Sequence, residues 1–299
     1  MKKVVLLFML FIATFGIYAQ TGSSKTGSLL WKISGKDLSK PSYILGTLHF
    51  KPGEYLDSIA GATAAFHSCE QIVGELSLLD ISGLQMVMMQ EMKMTPDTTY
   101  NILYSDDDYS FVDGQLKSFV GAGLEQLGTF KPAAIQLSVV SVAYSKFFPD
   151  LNMTNTLDVR IQSEAIRSQK PVIGLETIDD QIYALFGIMD LQRQADVLLC
   201  GLKHIDKTLE SATELIENYN QKDLDALYRS FENDEDCPST PSEKDALSKN
   251  RNNAWMKKLP GIMKDDSSFI AVGALHLAGD IGLLNLLEKS GYNVEPVVY

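Results

Sequence analysis

The chain has 299 residues and carries 38 acidic against 26 basic side chains, a formal charge of −12. That balance disfavours nucleic acid and anionic membranes as partners, and no basic patch interleaved with aromatics offsets it. Cys69, Cys200 and Cys237 form no CxxC pair, which excludes a zinc ribbon or a thioredoxin-like centre.

Residues 1–19 have the build of a secretory signal peptide: Lys2 and Lys3, an apolar run from Val4 to Tyr18, and the small residue Ala19 before Gln20. The run is shorter than the ~20 residues a spanning helix needs, and no cysteine follows it for lipid attachment. The chain is therefore expected in the periplasm or outside the cell, without a stable membrane anchor. Losing Lys2 and Lys3 takes the charge from −12 to −14. An oxidising compartment permits one disulfide. Cys200 with Cys237 is one reading, since a helical excursion separates them; three unpaired thiols are the other.

Residues 20–28 read as a polar linker and 29–299 as one folded body. Residues 29–33 and 43–48 read as strands joined through Gly35, Lys36 and Pro41. A small-residue helix follows over 56–69, then a short apolar strand over 72–76. The middle is helical. It comprises 83–94, 107–119 behind an acidic start, 133–147 with Pro132 in its first turn, and 155–168 with Leu157, Ile161 and Ala165 at helical spacing. A strand over 172–175 precedes two long amphipathic helices, 180–199 and 206–231. Residues 233–245 read as an exposed loop and 246–259 as a helix. A strand over 269–272, a helix through Leu287 and a strand over 292–299 close the chain. Alternating strands and helices around a helical middle predict an α/β (α+β) fold: a central mixed sheet, flanking helices and a helical insert.

Four of the strand candidates share one feature: each contains or ends at glycine with an ionisable group close behind. They lead from Gly46 to His49, Gly74 to Glu75, Gly174 to Glu176, and Gly273 to His276. Ligands collect at the carboxyl ends of strands in open α/β sheets. Neighbouring strands of this kind would bring two histidines and two glutamates to one rim. Two imidazoles and a carboxylate suffice for a catalytic divalent ion with an open water position, and the second glutamate would be a general base or fourth ligand. The GTLH and GALH copies hold two of the chain's four histidines; His67 and His204 read as ordinary. The second copy has Ala274 where the first has Thr47, and so lacks a hydroxyl for a hydrogen bond. There is no HExxH helix, GxSxG elbow, Walker A loop or GxGxxG turn.

The ordered motifs resemble the TraB/PrgY/GumN family, which includes the Tiki metalloproteases. They are Leu30-Trp31-Lys32-Ile33, Ser42 through His49, Val73-Gly74-Glu75-Leu76, Lys131-Pro132, Leu157-Asp158, Lys170 through Thr177, Arg251-Asn252, and Phe269 through Gly279. The resemblance implies a Tiki/erythromycin-esterase/ChaN-like fold and a metal-dependent peptidase centred on His49, Glu75 and His276. The metal would be zinc, manganese or cobalt and the substrate a peptide or small molecule. Asp158, Glu176, Arg251 and Asn252 fall on further family positions. Arg251 would hold a substrate carboxylate or pair with Glu176; a structural cap or salt bridge is the equal reading for Arg251-Asn252. The family's pheromone-shutdown members imply an alternative, a non-catalytic protein that sequesters a peptide or small ligand. Haem ligation and metal-free acid/base hydrolysis by the same residues also stay open.

The leader gives the first test. Amino-terminal sequencing of exported protein should read from Gln20; an intact Met1 in the membrane fraction would overturn the export reading.

Overall fold

The computed structural model describes residues 25–79, 84–145, 148–149, 152–232 and 236–298. The expected leader and residues 20–24 of the expected linker lie outside these. Of residues 25–28, Thr26 and Gly27 are exposed while Lys25 and Ser28 are packed against the body. Lys25 is buried and pairs with Glu288, and the buried Ser28 hydroxyl donates to the Leu30 and Val297 carbonyls.

The core is a six-stranded mixed sheet, as expected. The strands are β1 (Leu30–Ser34), β2 (Ser42–Thr47), β3 (Gln71–Gly74), β4 (Val172–Gly174), β5 (Ser268–Gly273) and β6 (Asn293–Pro296), in the order β4-β3-β5-β2-β1-β6. β1 and β2 form the antiparallel hairpin that the glycine-bearing turn announces, with Leu30 opposite Leu45. Gly35 and Lys36 turn it in the left-handed region, at φ 79° and 49°. β2, β5, β3 and β4 run parallel, and their carboxyl ends lie within two residues of one another: Thr47 is paired with Gly273, and Gly74 with both Ala271 and Gly174. Parallel strands need both faces covered, which fits their apolar sequences.

Several expected helices are broken, each for a local reason. The helix expected over 56–69 becomes a 3-10 segment, Gly53–Ser58, and a helix, Ala62–Ser68, because Gly61 turns the chain at φ 73°. The helix expected over 180–199 divides at Asp190, whose side chain accepts from Arg193 N and starts Leu191–Lys203. The one over 206–231 divides into Ile205–Asn220 and Leu224–Glu232, with Lys222 at φ 59° between them. The loop expected over 233–245 ends early: Thr240 and Glu243 form a capping box that opens helix Pro241–Leu247. Residues 233–235 lie outside the described set.

Among the described residues two large apolar clusters dominate the architecture, with a small third one at Tyr144, Ala212 and Ile216. One surrounds the sheet and includes Leu30, Ile44, Phe66, Ile72, Ile161, Tyr219, Trp255, Phe269 and Leu287. Each such buried side chain contributes roughly 1.5–3 kcal/mol. The other lies wholly in the helical insert, where Tyr100, Tyr104, Val112, Leu116, Ile135, Val139 and Leu198 meet. Among the described residues, no helix is long and apolar enough to cross a membrane.

Cys200 and Cys237 are disulfide-bonded across 37 positions, and Cys69 is a buried free thiol. A thiol assay should therefore find one reactive thiol in denatured, unreduced protein and three after reduction. Closing a loop of that length stabilises by about 2–4 kcal/mol, so reduction should lower the melting temperature. Three thiols before reduction would overturn the pairing.

Candidate active site

The neighbouring ends of the parallel strands bring four expected residues together. Leaving β2 the chain reaches His49, β3 gives Glu75 directly, β4 leads through Leu175 to Glu176, and β5 enters a 3-10 turn, Ala274–His276. His49, Glu75 and His276 meet over Gly273, and Glu176 joins them through Arg251. A methyl built on Gly273 would lie 3.3 Å from Glu75 Oε1, 3.6 Å from His276 Cδ2 and 3.9 Å from His49 Nε2. The Gly273 backbone, at φ −51° and ψ 134°, is open to any residue; what glycine supplies here is space. Its N–H donates to Glu75 Oε1 at 2.8 Å.

Each imidazole is held from behind. Asp158, in the first turn of helix Leu157–Arg167, contacts His49 Nδ1 through Oδ2 at 3.0 Å and accepts the Thr47 hydroxyl on Oδ1 at 2.6 Å. That helix start is itself pinned beside His49, because Leu157 N donates to the Lys51 carbonyl at 2.9 Å. His276 Nδ1 lies 2.8 Å from Asn252 Oδ1, and its ring packs 4.4 Å from that of Trp255.

Arg251 joins the parts. Its Nε and Nη2 donate to the two oxygens of Glu176 at 2.6 and 3.1 Å, Nη2 also reaches Glu75 Oε2 at 2.7 Å, and Nη1 lies 2.9 Å from His276 Nε2. Helix Lys249–Met256 places Arg251 and Trp255 one turn apart on the same face, and Trp255 Nε1 donates to Glu176 Oε1 at 2.8 Å. Gln181 Nε2 bridges Glu176 Oε2 and Glu75 Oε2 at 2.9 and 3.3 Å. Both Glu176 oxygens thus accept two donors each. Gln181 and Trp255 are the members of this constellation that the sequence reading did not single out. Trp255 had a signal, its i+4 spacing from Arg251; Gln181 had none.

The electrostatics are uneven. Burial pushes Glu75 up, but the charges of His276 (cationic at the low pH where Glu75 titrates), His49 and Arg251, with the Gly273 N–H, outweigh it and hold the carboxylate at about 2. Burial holds His276 down at about 4, so it is neutral near pH 7. Burial also opposes charge on His49, but the Asp158 hydrogen bond and charge, aided by Glu75, lift it to about 9. The His49 side chain is 60 % exposed, so the neighbouring carboxylates govern it more than burial does.

This geometry accompanies a match to known sequences. The model of the TraB/PrgY/gumN family covers residues 29–296, nearly the whole described chain. The chain belongs to this family. As a family member it is similar to Metalloprotease TIKI2 of Xenopus tropicalis, 23 % identical over 331 residues, which include 90 % of this chain and 59 % of the relative. It is also similar to Metalloprotease TIKI1 of Homo sapiens, 23 % identical over 337 residues, with 91 % and 62 % covered. The chain thus spans about three fifths of the length of these relatives. No solved structure matches it.

Asp158 gives this family member a direct electrostatic test. In Asp158→Asn, the His49 titration midpoint, followed by proton NMR in metal-free protein, should fall from about 9 toward 6.5. A raised folded-state pKa contributes stability that is present below pH 6.5 and lost as pH rises through 9. The variant should flatten that loss. An unmoved midpoint would show that Asp158 does not hold the imidazolium.

Proposed function

We propose that this protein is an exported metal-dependent hydrolase acting on peptide bonds, with one divalent ion held by His49, Glu75 and His276. The observation that supports it most is the cradle over Gly273, which two imidazoles and a carboxylate border and which a single methyl would fill. The donor types, two imidazoles and a carboxylate, fit a catalytic ion with an open position; among the described residues their ligand atoms are not drawn together as a preformed site, and Arg251 holds two of them. Imidazoles backed by Asp158 and Asn252 also fit, since metal-bound histidines are generally oriented by a second hydrogen bond. The kinship with metalloproteases supplies the reaction class, and the substrate remains part of the proposal.

When bound, such an ion polarises a carbonyl and brings the pKa of its water to ~7. The chain's own residues do the rest. His49 forms the solvent side of the site, and substrate approaches there. Glu176 is saturated by Arg251, Trp255 and Gln181, so it acts as the anchor of Arg251 rather than as base or ligand. Arg251 keeps Glu75 ionised and in place. Zinc suits two nitrogens and one oxygen; manganese or cobalt would suit the site if further oxygens join.

The test compares wild type, His49→Ala, His276→Ala, Glu75→Gln and Gly273→Ala for bound metal and peptide turnover. The first three should weaken metal binding by more than the ~10–100-fold seen when supporting residues are lost. Gly273→Ala should melt near the wild-type temperature, because its backbone suits alanine, yet lose metal and turnover because the methyl enters the cradle. Chelation should stop turnover and metal restore it. Full activity in the histidine variants, or indifference to chelation, would overturn the reading; stoichiometric protection of a peptide without turnover would replace it with a binding protein.

A further inference from the structure

The geometry points to Arg251 as a built-in competitor of the divalent ion: the guanidinium and the ion are alternative partners of one lone pair, on His276 Nε2. The inference rests on the metal-centre reading above. Asn252 supplies its first step. This side chain is 1 % exposed, and its Nδ2 donates to the carbonyls of His276 and Ile281 at 3.2 and 2.8 Å. Those two acceptors fix which end of the amide is nitrogen, so an oxygen faces His276 Nδ1 at 2.8 Å. An amide oxygen only accepts. Nδ1 therefore carries the proton, and neutral His276 has its one in-plane lone pair on Nε2.

Arg251 uses that lone pair. A guanidinium has donors and no acceptor, so Nη1 donates to Nε2 across the 2.9 Å separation. A lone pair serves a hydrogen-bond donor or a metal, not both. Nη2 meets Glu75 Oε2 at 2.7 Å as well. One cation thus satisfies two of the three groups that the divalent ion requires.

Arg251 can release those groups without losing its own place. Its Nε–Nη2 edge is gripped by both oxygens of Glu176, and the Leu247 carbonyl lies 3.4 Å from Nη1 as an acceptor after release. Metal uptake is then an exchange of charge-assisted hydrogen bonds, and metal affinity is lower than three ligands alone would give. In return, Glu75 and Glu176 keep a counter-charge when metal is scarce.

The test is calorimetric titration of Zn²⁺ and Mn²⁺ into the purified mature chain and its Arg251→Met/Glu176→Gln variant. The double change removes the competitor and its anchor together with no change in net charge; Glu75 loses the guanidinium but keeps the Gly273 N–H and the Gln181 amide as donors. Thermal melting checks that it folds. Expected is metal binding tighter than wild type by about tenfold or more, from hydrogen bonds that no longer have to be broken. A second measurement needs no variant: nitrogen NMR of metal-free wild type should show His276 protonated on Nδ1 and bare on Nε2. Unchanged or weaker affinity in the variant, with wild type binding metal, overturns the competition and leaves the metal centre standing. A proton on Nε2 in the metal-free wild type also overturns it. No metal bound by either protein rejects the metal centre, and the competition with it.

Discussion

The site is organised by one positive charge placed between two buried negative ones. Glu75 and Glu176 have side chains only 13 % and 5 % exposed, and Arg251 lies against both at 2.7 and 2.6 Å. Burying a carboxylate is costly unless a cation or hydrogen bonds compensate it. Removing one partner from such a pair typically costs roughly 3–5 kcal/mol, because the other charge stays buried. The guanidinium is suited to the task by shape as well as charge, since its flat fork meets Glu176 edge-on while its other nitrogen faces His276. Trp255 lies beneath it, 5.0 Å from the guanidinium carbon, and gives the same helix a second hold on Glu176.

That arrangement works only because the sheet delivers its partners to one edge. β2, β5, β3 and β4 run parallel and end within two residues of one another, so short connections after each strand suffice to bring His49, Glu75 and His276 around Gly273 and Glu176 onto Arg251. β1 and β6 contribute no site residue; they pair antiparallel on the other side of β2 and close that flank of the core. Tyr219, fully buried on a helix of the later chain, donates to the Gly46 carbonyl at 2.9 Å and so ties the helical layer to the strand that carries His49.

Much of this was legible in the sequence because strands and their ends have short-range signatures. An apolar run, a glycine and an ionisable group can be read within six residues, and four such runs identified the four adjacent parallel strands. The mixed sheet with a helical insert followed from the order of strands and helices. What was hidden depended on single residues acting against a longer period. Gly61, Lys222 and Asp190 break helices that periodicity alone continues, since one left-handed residue or one cap outweighs an amphipathic pattern. Gln181 was hidden for a different reason. Its amide matters only because β3 and β4 place two carboxylates on either side of it, and nothing local to residue 181 records that.

The two GxxH copies end in unlike histidines, and the difference traces to one position. In the first copy Thr47 fixes Asp158 through its hydroxyl, and that carboxylate backs an exposed, readily charged His49. The second copy has Ala274 in the corresponding place, buried at 6 % exposure, with no hydroxyl to orient a partner. Its histidine needs a partner that orients itself. Asn252 does so, because two backbone carbonyls hold its amide and leave only its oxygen for His276. An amide brings no negative charge, so His276 stays neutral where burial would penalise a cation. A carboxylate in place of Asn252 would lose both backbone acceptors and add a third buried negative charge next to Glu75 and Glu176. The alanine of GALH and the asparagine on the distant helix are therefore two halves of one solution, a buried imidazole kept uncharged with a lone pair aimed into the site.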